Sequence, residues 1–385
     1  MGTPRVIYSI GVTFAGGGIG SIAYRDVRAL HAHHMLHRLL CGSYRPTEIP
    51  GPLIRAWGWP SRLLRVLALY DKRRFIAYIH AVLYDIWAAR HVRAADIFHG
   101  WGNFSLRSLE RARGAGALTL VTRASAHPLY EDALLRREYA RWGLTFRQPQ
   151  GLLRRAVREI EEADYVLIPS PYVRDTFLRH GVPEEKLVQI PFGVDTRRFH
   201  PPEKRDSSPF RVLFLGQIGV RKGVPYLLEA WRRLGWRDAE LWLVGRVEAG
   251  FGRVLARYRD MPGLRLRPYH PDPADLFRRA HVFAFPTITE GSALVTYEAL
   301  ASGLPVVTTF NAGSLVRDGQ EGYIIPLRDV DMLAAKLDRL RRDDTLREEM
   351  ARRARRRVEP YTWTRYGETL VHWISEILLR PEKLA

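Results

Sequence analysis

Two glutamates in the last third of the chain, Glu290 and Glu298, have a spacing that lets both carboxylates serve one bound ligand. An apolar run ends at Pro286, and the pattern after it predicts a helix with Ser292 as its N-cap and Gly303 at its end. Glu298 lies about two turns into that helix, where its carboxylate can accept two hydrogen bonds from a ribose diol. Glu290 precedes the helix and can reach a sugar hydroxyl. The alternative is that both acids are ordinary helix-start and surface residues, which any helix tolerates.

The start of this predicted helix is also a candidate anion site. The backbone amides from Gly291 to Leu294 would be unpaired donors at the positive end of the helix dipole. A pyrophosphate is a ligand that such a helix start can bind.

A second loop, between Phe214 and Gly223, has the composition of a phosphate-binding turn. It follows an apolar strand pattern and opens a helical one, and Gly216 and Gly219 permit tight turns. Lys222 would put a positive charge beside the phosphates as a leaving group gains negative charge. A lysine at a helix start is slightly unfavourable without an anion, which favours the binding interpretation over an ordinary surface lysine.

The first half of the chain also contains candidate binding residues, which would face the two loops described above across a ligand. Gly16, Gly17 and Gly18 form a turn after an apolar strand pattern and would let the backbone approach a phosphate or an acceptor. His99 and His127 each follow a predicted strand, and His99 is a candidate residue on the acceptor side. The alternative for all of these is an ordinary glycine turn and two ordinary loop histidines.

Strands alternate with helices along most of the chain, which predicts parallel, doubly wound sheets. The alternation breaks at a polar segment with three prolines and restarts after it. We therefore expect an acceptor-side Rossmann-like domain (1–195), a linker (196–209), a second Rossmann-like domain (210–360) and a C-terminal segment (361–385) whose helix crosses back to the first domain. The two domains should face each other across a cleft, with ligands outside the carboxyl ends of the strands. The predicted strands are Val6–Ile10, Ile97–His99, Leu118–Arg123, Tyr165–Pro169, Val188–Ile190, Arg211–Leu215, Leu241–Val244, Leu264–Arg267, Val282–Phe285, Pro305–Thr308 and Tyr323–Ile325, and the predicted helices include Gln150–Glu162, Val224–Leu234 and Trp363–Leu379.

Glu290 and Glu298, with the Ala-Leu-Ala-Ser-Gly-Leu-Pro-Val-Val that follows, resemble the E-x7-E signature of glycosyltransferase family 4. The resemblance covers most of the chain from about residue 95 and implies a retaining enzyme with the GT-B fold. It also implies that Glu290 binds the donor sugar and Glu298 the ribose. Lys222 matches the family's second loop, but Gln217 stands where an arginine is usual. Arg221 is the candidate to replace that arginine.

The same resemblance assigns roles to other residues. His127 is similar to the family's histidine near the transferred sugar, and Arg246 and Tyr269 lie where the family contacts the base. His127, Glu290 and Lys222 are therefore the expected catalytic residues, with His99 on the acceptor side. The expected donor-binding residues are Gly17, Gly18, Gln217, Arg221, Lys222, Arg246, Tyr269, Glu290, Gly291, Ser292, Ala293, Leu294, Val295 and Glu298.

The implied reaction moves a hexose-type sugar from a nucleotide-diphosphate sugar to a hydroxyl of a glycan, a lipid-linked acceptor or a small molecule. UDP is the expected carrier, with GDP and ADP as alternatives. No metal is expected, because Lys222 and the helix dipole would stabilise the diphosphate and no Asp-x-Asp follows a strand. The alternative enzymes are a GT-B sugar-nucleotide epimerase and a phosphorylase. A nucleic-acid-binding protein is a remote alternative, since aromatic and basic residues are not interleaved as a stacking platform.

The composition indicates where in the cell the protein is expected and which surfaces it can bind. The 385 residues carry a formal net charge of +19, nearly all of the positive charge being arginine, and Cys41 is the one cysteine. Arginine binds phosphates and anionic membranes, although a solvated face explains the charge equally well. No apolar stretch reaches the ~20 residues that span a bilayer, and the first residues are not typical of a signal peptide. We therefore expect a cytoplasmic protein, soluble or peripheral on the inner face of the membrane.

The segment from Ser61 to Arg93 predicts a basic amphipathic helix or a pair of helices. Arginines flank an apolar stripe in which residues recur at helical spacing. The first interpretation is a helix that packs its stripe into the core, and it is favoured because apolar stripes usually pack inward. The second is a helix that rests on an anionic membrane surface. The stripe consists of Phe75, Ile76, Ile79, Val82, Leu83, Ile86 and Trp87.

Overall fold

The first half of the chain folds around a parallel sheet. A computed structural model describes residues 3–71, 75–206, 209–270 and 272–379. Within these residues the first sheet has seven strands in the order β3-β2-β1-β4-β5-β6-β7, and the paired strands are parallel. The strands are β1 (Val6–Phe14), β2 (Leu36–Tyr44), β3 (Ile54–Ala56), β4 (Ile97–Trp101), β5 (Leu118–Thr122), β6 (Tyr165–Ile168) and β7 (Leu187–Gln189).

The second half repeats this architecture. The described residues form a six-stranded parallel sheet in the order β10-β9-β8-β11-β12-β13. The predicted fold class, two Rossmann-like domains of the α/β class, is confirmed. The strands are β8 (Phe210–Leu215), β9 (Ala239–Val244), β10 (Leu264–Arg267), β11 (Val282–Phe285), β12 (Val306–Thr309) and β13 (Gly322–Ile325).

Helices connect the strands of both sheets. Two of them, Gln150–Glu162 and Val224–Leu234, have the predicted bounds, since Pro149 and Gly223 directly precede them and Gly235 ends the second. The helices are α1 (Ile19–Ala32), α2 (Trp59–Tyr70), α3 (Phe75–His91), α4 (Leu106–Arg113), α5 (Pro128–Arg141), α6 (Gln150–Glu162), α7 (Pro171–Leu178), α8 (Val224–Leu234), α9 (Gly252–Ala256), α10 (Ala274–Arg279), α11 (Leu294–Ala301), α12 (Val330–Arg342), α13 (Asp344–Val358) and α14 (Trp363–Ile377).

Apolar residues cover both faces of each sheet. In the first sheet, Tyr8 and Leu120 belong to the core cluster on one face, whereas Ile7 and Val121 belong to the cluster on the other. This alternation follows from the period-2 geometry of strands that are buried on both sides. In each sheet the first strand lies between the second and a later one, so the loops after β1 and β8 lie at the points where the strand order reverses. Ligands of such sheets bind at these points.

The segment from Ser61 to Arg93 differs from the favoured interpretation. It forms two helices, and α3 buries a face with small and polar residues that include His80, Tyr84 and Asp85. Most of the predicted stripe is half-buried, and Phe75 and Leu83 are exposed. The physical reason is that Asp85 accepts hydrogen bonds from the backbone of α4 and pairs with Arg155, so that face has to turn inward. The stripe is therefore only partly in the core: Trp87 packs against the core cluster, whereas Phe75 and Leu83 face outward.

The last helix, α14, packs against α1 of the first half. Tyr366 donates a hydrogen bond to the buried Asp26 at 2.7 Å, and Tyr8 donates to the other oxygen of this carboxylate at 2.5 Å. The boundaries at residues 195, 209 and 360 stay a prediction. In the described part of the chain, no helix is long and apolar enough to cross a membrane.

Candidate functional site

The loop after β11 lies directly against the first half of the molecule. Ser170 donates its hydroxyl hydrogen to the carbonyl of Gly291 at 2.5 Å, and the hydroxyls of Tyr172 and Thr289 are 2.9 Å apart. A β-carbon on Gly291 would lie 1.7 Å from the carbonyl oxygen of Ala124. Only glycine allows this approach, so the two halves meet where the predicted donor loop begins.

Three predicted residues come together beside this contact. Lys222 donates a hydrogen bond to the carboxylate of Glu290, and Arg221 Nε lies 3.6 Å from the same carboxylate. Burial alone would raise the pKa of Glu290, but the positive charges of Lys222 and Arg221 hold it below its ordinary value. Burial lowers the pKa of Lys222 despite the opposing charge of Glu290. Glu290 is therefore an ionised acceptor between two cations.

A fourth charged residue, Glu131, was not predicted from the sequence. It lies on α5 of the first half, and its Oε1 is 3.1 Å from Arg221 Nη2. Burial would lower the pKa of Arg221, but the carboxylates of Glu131 and Glu290 raise it. No local pattern marks Glu131, because the fold brings it to Arg221 from 90 residues away in sequence.

The start of α11 differs from the predicted one. The helix begins at Leu294 with Ala293 as its N-cap, so the prediction that Ser292 is the N-cap is wrong. The Ser292 hydroxyl instead donates to the carbonyl of Gly313 at 2.9 Å and lies 2.8 Å from the Tyr297 hydroxyl. The amide of Ala293 is also not free, since it donates to the carbonyl of Ala312 at 2.9 Å. The end of the helix is as predicted, with Gly303 in the left-handed conformation after Ser302.

Glu298 lines a cavity between the two halves. The cavity has a volume of about 210 Å³ and is also lined by Ser21 and Arg25 of α1 and by Arg198. Burial raises the pKa of Glu298 to about 7, against the opposing charge of Arg198. The carboxylate is half-buried and lines this cavity, so hydroxyl groups of a ligand in the cavity can donate hydrogen bonds to it.

Three expected donor-binding residues follow neighbouring strands, and two of them, Arg246 and Tyr269, are those expected to contact the base. Gln217 follows β8, Arg246 follows β9 and Tyr269 follows β10, and all three side chains are exposed. Because these strands are adjacent in the sheet, the three residues line one edge, outward from Glu290 after β11. This order suits a ligand with a base at one end and a sugar at the other.

The site residues predicted in the first half do not form a cluster like the one around Glu290. Gly17 and Gly18 are exposed, with Gly18 at a φ of 62°. The His127 ring stacks on His180 at 4.3 Å, and burial lowers its pKa to about 3. His99 is fully buried, with Nε2 2.6 Å from the Thr122 hydroxyl. The described ring contacts of His127 lie within the first half, and His99 does not reach the cleft surface.

Among the residues that the structure describes, no group of three or more His, Cys, Asp or Glu side chains is placed to hold a metal ion. The charged groups at the site include the side chains around Glu290 and, in the cavity, Glu298, Arg25 and Arg198.

Comparisons with known proteins place these features in a family. Residues 16–198 match the model described as "Glycosyltransferase Family 4", and residues 209–343 match "Glycosyl transferases group 1". The chain is similar to MMP alpha-(1→4)-mannosyltransferase of Mycolicibacterium hassiacum, with 30% identity over 298 residues, which cover 71% of each protein.

Solved structures share the fold. Sucrose-phosphate synthase of Thermosynechococcus elongatus aligns with a TM-score of 0.75 at 18% identity, covering 97% of this chain and 99% of that one. The Anabaena HepE structure in complex with UDP-glucose aligns with a TM-score of 0.69 at 14% identity, covering 96% and 99%. Because the family models match both halves and the mannosyltransferase relative is 30% identical over 71% of each protein, the chain belongs to glycosyltransferase family 4 and is a glycosyltransferase with the GT-B fold.

Proposed function

We propose that the enzyme transfers a hexose-type sugar from a nucleotide-diphosphate sugar to an acceptor hydroxyl and retains the anomeric configuration. The observation that carries the proposal is the cluster of Glu290, Lys222 and Arg221 beside the cavity that Glu298 lines. The acceptor hydroxyl belongs to a glycan, a lipid-linked molecule or a small molecule. UDP is the proposed carrier, with GDP and ADP as alternatives, and the UDP-glucose bound to HepE, which has this fold, supports UDP.

The donor lies along the edge of the second sheet. The Glu298 carboxylate accepts hydrogen bonds from the ribose diol, and the base extends toward Arg246 and Tyr269. The amides near the start of α11, including those of Leu294 and Val295, and the exposed glycines of the β1–α1 loop flank the diphosphate. The sequence of strands from β10 to β11 supports this direction, because it orders the expected base, phosphate and sugar contacts along one edge.

Charge redistribution around Glu290 supports the transfer step. Sugar hydroxyls donate to Glu290, which frees Lys222 and Arg221 to face the diphosphate as it gains negative charge. Arg221 thereby supplies the charge that Gln217 lacks. These cations and the helix dipole perform the electrostatic work that a metal ion performs elsewhere, so we propose a metal-independent reaction. The leaving phosphate oxygen takes the proton of the acceptor hydroxyl on the same face of the sugar.

His127 belongs to this proposal as the residue nearest to the transferred sugar on the acceptor side. It directly precedes α5, the helix whose Glu131 pairs with Arg221 across the cleft. Its low pKa keeps the imidazole neutral, so it can exchange hydrogen bonds with a sugar hydroxyl without adding charge. His99 is fully buried and contacts Tyr8 and Thr122, so in this proposal it supports the fold of the first half and touches no ligand directly.

The test is hydrolysis of candidate donors with water as the acceptor. UDP-glucose, GDP-mannose and ADP-glucose are incubated separately with the enzyme, with and without EDTA, and the fresh products are followed by proton NMR. The proposal predicts a hexose that first appears in the donor's own anomeric form, at a rate that EDTA does not change. An inverted anomer would exclude retention, and conversion of the donor into another nucleotide sugar would indicate an epimerase.

We also propose that an anionic membrane surface is a partner of the enzyme. The outer face of α2 exposes Trp59, Leu63, Val66 and Leu67, and the exposed Arg62 borders this face. Apolar residues at helical spacing beside arginines are the pattern of helices that lie in a membrane interface. The net charge of +19 supports an anionic rather than a neutral surface.

Co-sedimentation with lipid vesicles tests this partner. The wild type should bind vesicles that contain phosphatidylglycerol more than vesicles of phosphatidylcholine alone. Leu63→Glu should reduce the bound fraction, whereas Leu266→Glu, at a position with the same 48% exposure in the second half, should not. Equal loss in both variants would contradict docking through α2.

A further inference from the structure

A polar cluster at the carboxyl ends of β1 and β2 lies outside the donor site. Arg65 of α2 donates hydrogen bonds to the hydroxyl of Thr13 and, at 3.1 Å, to the hydroxyl of Ser43. The two hydroxyls are 3.0 Å apart and pair across the neighbouring strands. We refer to Arg65, Thr13 and Ser43 as the Arg65 cluster.

The charge of this cluster is uncompensated. Arg65 is half-buried, and no carboxylate of the described residues lies within ion-pair distance of it. Its Nε is buried and has no hydrogen-bond partner in the described part of the chain. A guanidinium has five N–H donors: the two hydroxyls use one on each Nη atom, and the Nε–H is buried, so one N–H on each Nη atom remains for a ligand. A partly desolvated cation without a counter-ion is costly, which favours an anion as the missing partner.

The cluster is connected to the cleft through the glycine turn. The carbonyl of Thr13 accepts a hydrogen bond from the amide of Gly16 at 3.1 Å. The same carbonyl oxygen lies 2.2 Å from where a β-carbon on Gly20 would be, so α1 begins in direct contact with Thr13. One residue further on, Ser21 lines the cavity that contains Glu298. The Arg65 cluster therefore lies on the first-half wall of the cleft that holds the predicted donor site.

The surroundings favour a ligand that comes from the acceptor side. Arg65 lies on α2, a helix of the first half, whereas Lys222 and Arg221 already provide cations for the donor phosphates. The nearby hydroxyls of Ser61 and Ser43 are almost fully buried, and Ser61 lies 3.0 Å from His80 Nε2. Hydroxyls and a guanidinium without a carboxylate suit phosphate oxygens, each of which can accept several hydrogen bonds.

We propose that Arg65, held in place by the hydroxyls of Thr13 and Ser43, binds a phosphate group carried by the acceptor. The acceptor is thus a phosphorylated molecule, either a soluble sugar phosphate or a lipid with a phosphate headgroup. This inference rests on the proposed transfer function, because it assigns the second substrate of the same reaction.

The first test is titration with inorganic phosphate by isothermal calorimetry. Saturating nucleoside diphosphate is added first, so that the donor phosphate site is filled. Arg65→Gln should weaken phosphate binding at least about tenfold, because a charged hydrogen-bond donor is lost. Arg62→Gln, on the exposed side of the same helix, should change it less than about twofold, and Arg65→Lys should retain part of the affinity. Equal losses in the Arg65 and Arg62 glutamine variants, or none, would overturn the proposal.

The second test distinguishes the two sources of phosphate. Glucose 6-phosphate and phosphatidylcholine vesicles that contain didodecyl phosphate each compete with inorganic phosphate in the wild type and in Arg65→Gln. Competition by the sugar phosphate indicates a soluble acceptor, and competition by the vesicles alone indicates a lipid-linked one. Competition by neither would overturn the proposal. Binding of the nucleoside diphosphate is measured in the same samples, so failure of the donor site is seen separately. Thermal unfolding shows whether each variant is folded.

Discussion

At Glu290 one carboxylate faces two cations. Lys222 and Arg221 hold it in the ionised form, and Glu131 completes the network from across the cleft. The three residues of the second half come from short motifs that the sequence displays. Glu131 comes from a different domain, and its role depends on packing that no local pattern specifies.

Replacement of Glu290 by glutamine should disrupt this network. The amide cannot balance Lys222 and Arg221, and it binds sugar hydroxyls without a charge. We expect kcat/KM for donor hydrolysis to fall at least about a hundredfold. The measurement is steady-state kinetics, with Glu368→Gln on the exposed surface of α14 as the control. Activity near the wild-type level in Glu290→Gln would contradict the role of this carboxylate.

The pKa of Glu298 gives donor binding a pH dependence. Burial raises this pKa to about 7, and only the ionised carboxylate accepts hydrogen bonds from both ribose hydroxyls. Donor affinity should therefore be highest above pH 7 and fall up to about tenfold for each pH unit below it. Calorimetric titration of the donor nucleotide at several pH values measures the slope. Glu298→Gln should show weak binding with little slope, and a variant that keeps the wild-type slope would contradict this assignment.

At the scale of elements, the periodicity of apolar residues and the positions of glycines were sufficient to predict many of the helices and strands. Helix α8 ends at Gly235 in the left-handed conformation, and its predicted bounds are confirmed. Strands β2 and β3 were not predicted, because charged side chains such as Arg38 and Arg55 interrupt their apolar patterns. The start of α11 was predicted wrongly at Ser292, whose hydroxyl is used by a distant carbonyl. The error at Ser292 arose because a tertiary partner, the carbonyl of Gly313, replaced the local one.

The stability that the contact between α1 and α14 provides should depend on pH. Burial raises the pKa of Asp26 to about 7, whereas an exposed aspartate titrates near 3.8. The folded state therefore holds a proton that the unfolded chain has lost, so stability should decrease as the pH rises from about 4 to about 7. Urea unfolding at both ends of this range measures the difference. Asp26→Asn should unfold with a smaller pH dependence, and an unchanged dependence would contradict the origin in Asp26.

Replacement of Asp26 by alanine tests the same anchor without titration. It leaves the hydroxyls of Tyr8 and Tyr366 buried without their acceptor, and we expect a loss of about 2–4 kcal/mol in the free energy of unfolding. The urea midpoint gives this value. Thr369→Ala, at an exposed position on α14, serves as the control and should change it by less than about 1 kcal/mol.

At the scale of the whole molecule, the second half is held against the first by α5 as well as by the donor loop. Tyr139 of α5 donates to Glu248, and Glu138 accepts from Tyr226 and from Arg328. These contacts surround the Arg221–Glu131 pair on one side of the cleft. The contacts of α5 with the second half fix the distance between the two halves. They therefore also fix the width of the cleft that is available to donor and acceptor.

Gly291 sets the approach of the halves on the donor side. Alanine there would place its β-carbon 1.7 Å from the Ala124 carbonyl oxygen, so the halves would have to separate. We expect Gly291→Ala to lower kcat/KM at least about tenfold, since a displacement near 1 Å is enough to misplace reacting groups. Circular dichroism should be unchanged. At Gly252 a β-carbon meets no described atom within 4 Å, so Gly252→Ala should retain activity. Full activity in Gly291→Ala would show that the contact is dispensable.

The central claim is that the cavity containing Glu298 holds the nucleotide of the donor. Calorimetric titration of UDP, GDP and ADP into the wild type, Glu298→Gln and Glu368→Gln above pH 7 tests it most directly. The account predicts that at least one nucleotide binds the wild type and Glu368→Gln equally and binds Glu298→Gln at least about tenfold more weakly, since two hydrogen bonds to a charged group are altered. Equal binding to all three proteins, or no binding to any, would contradict it.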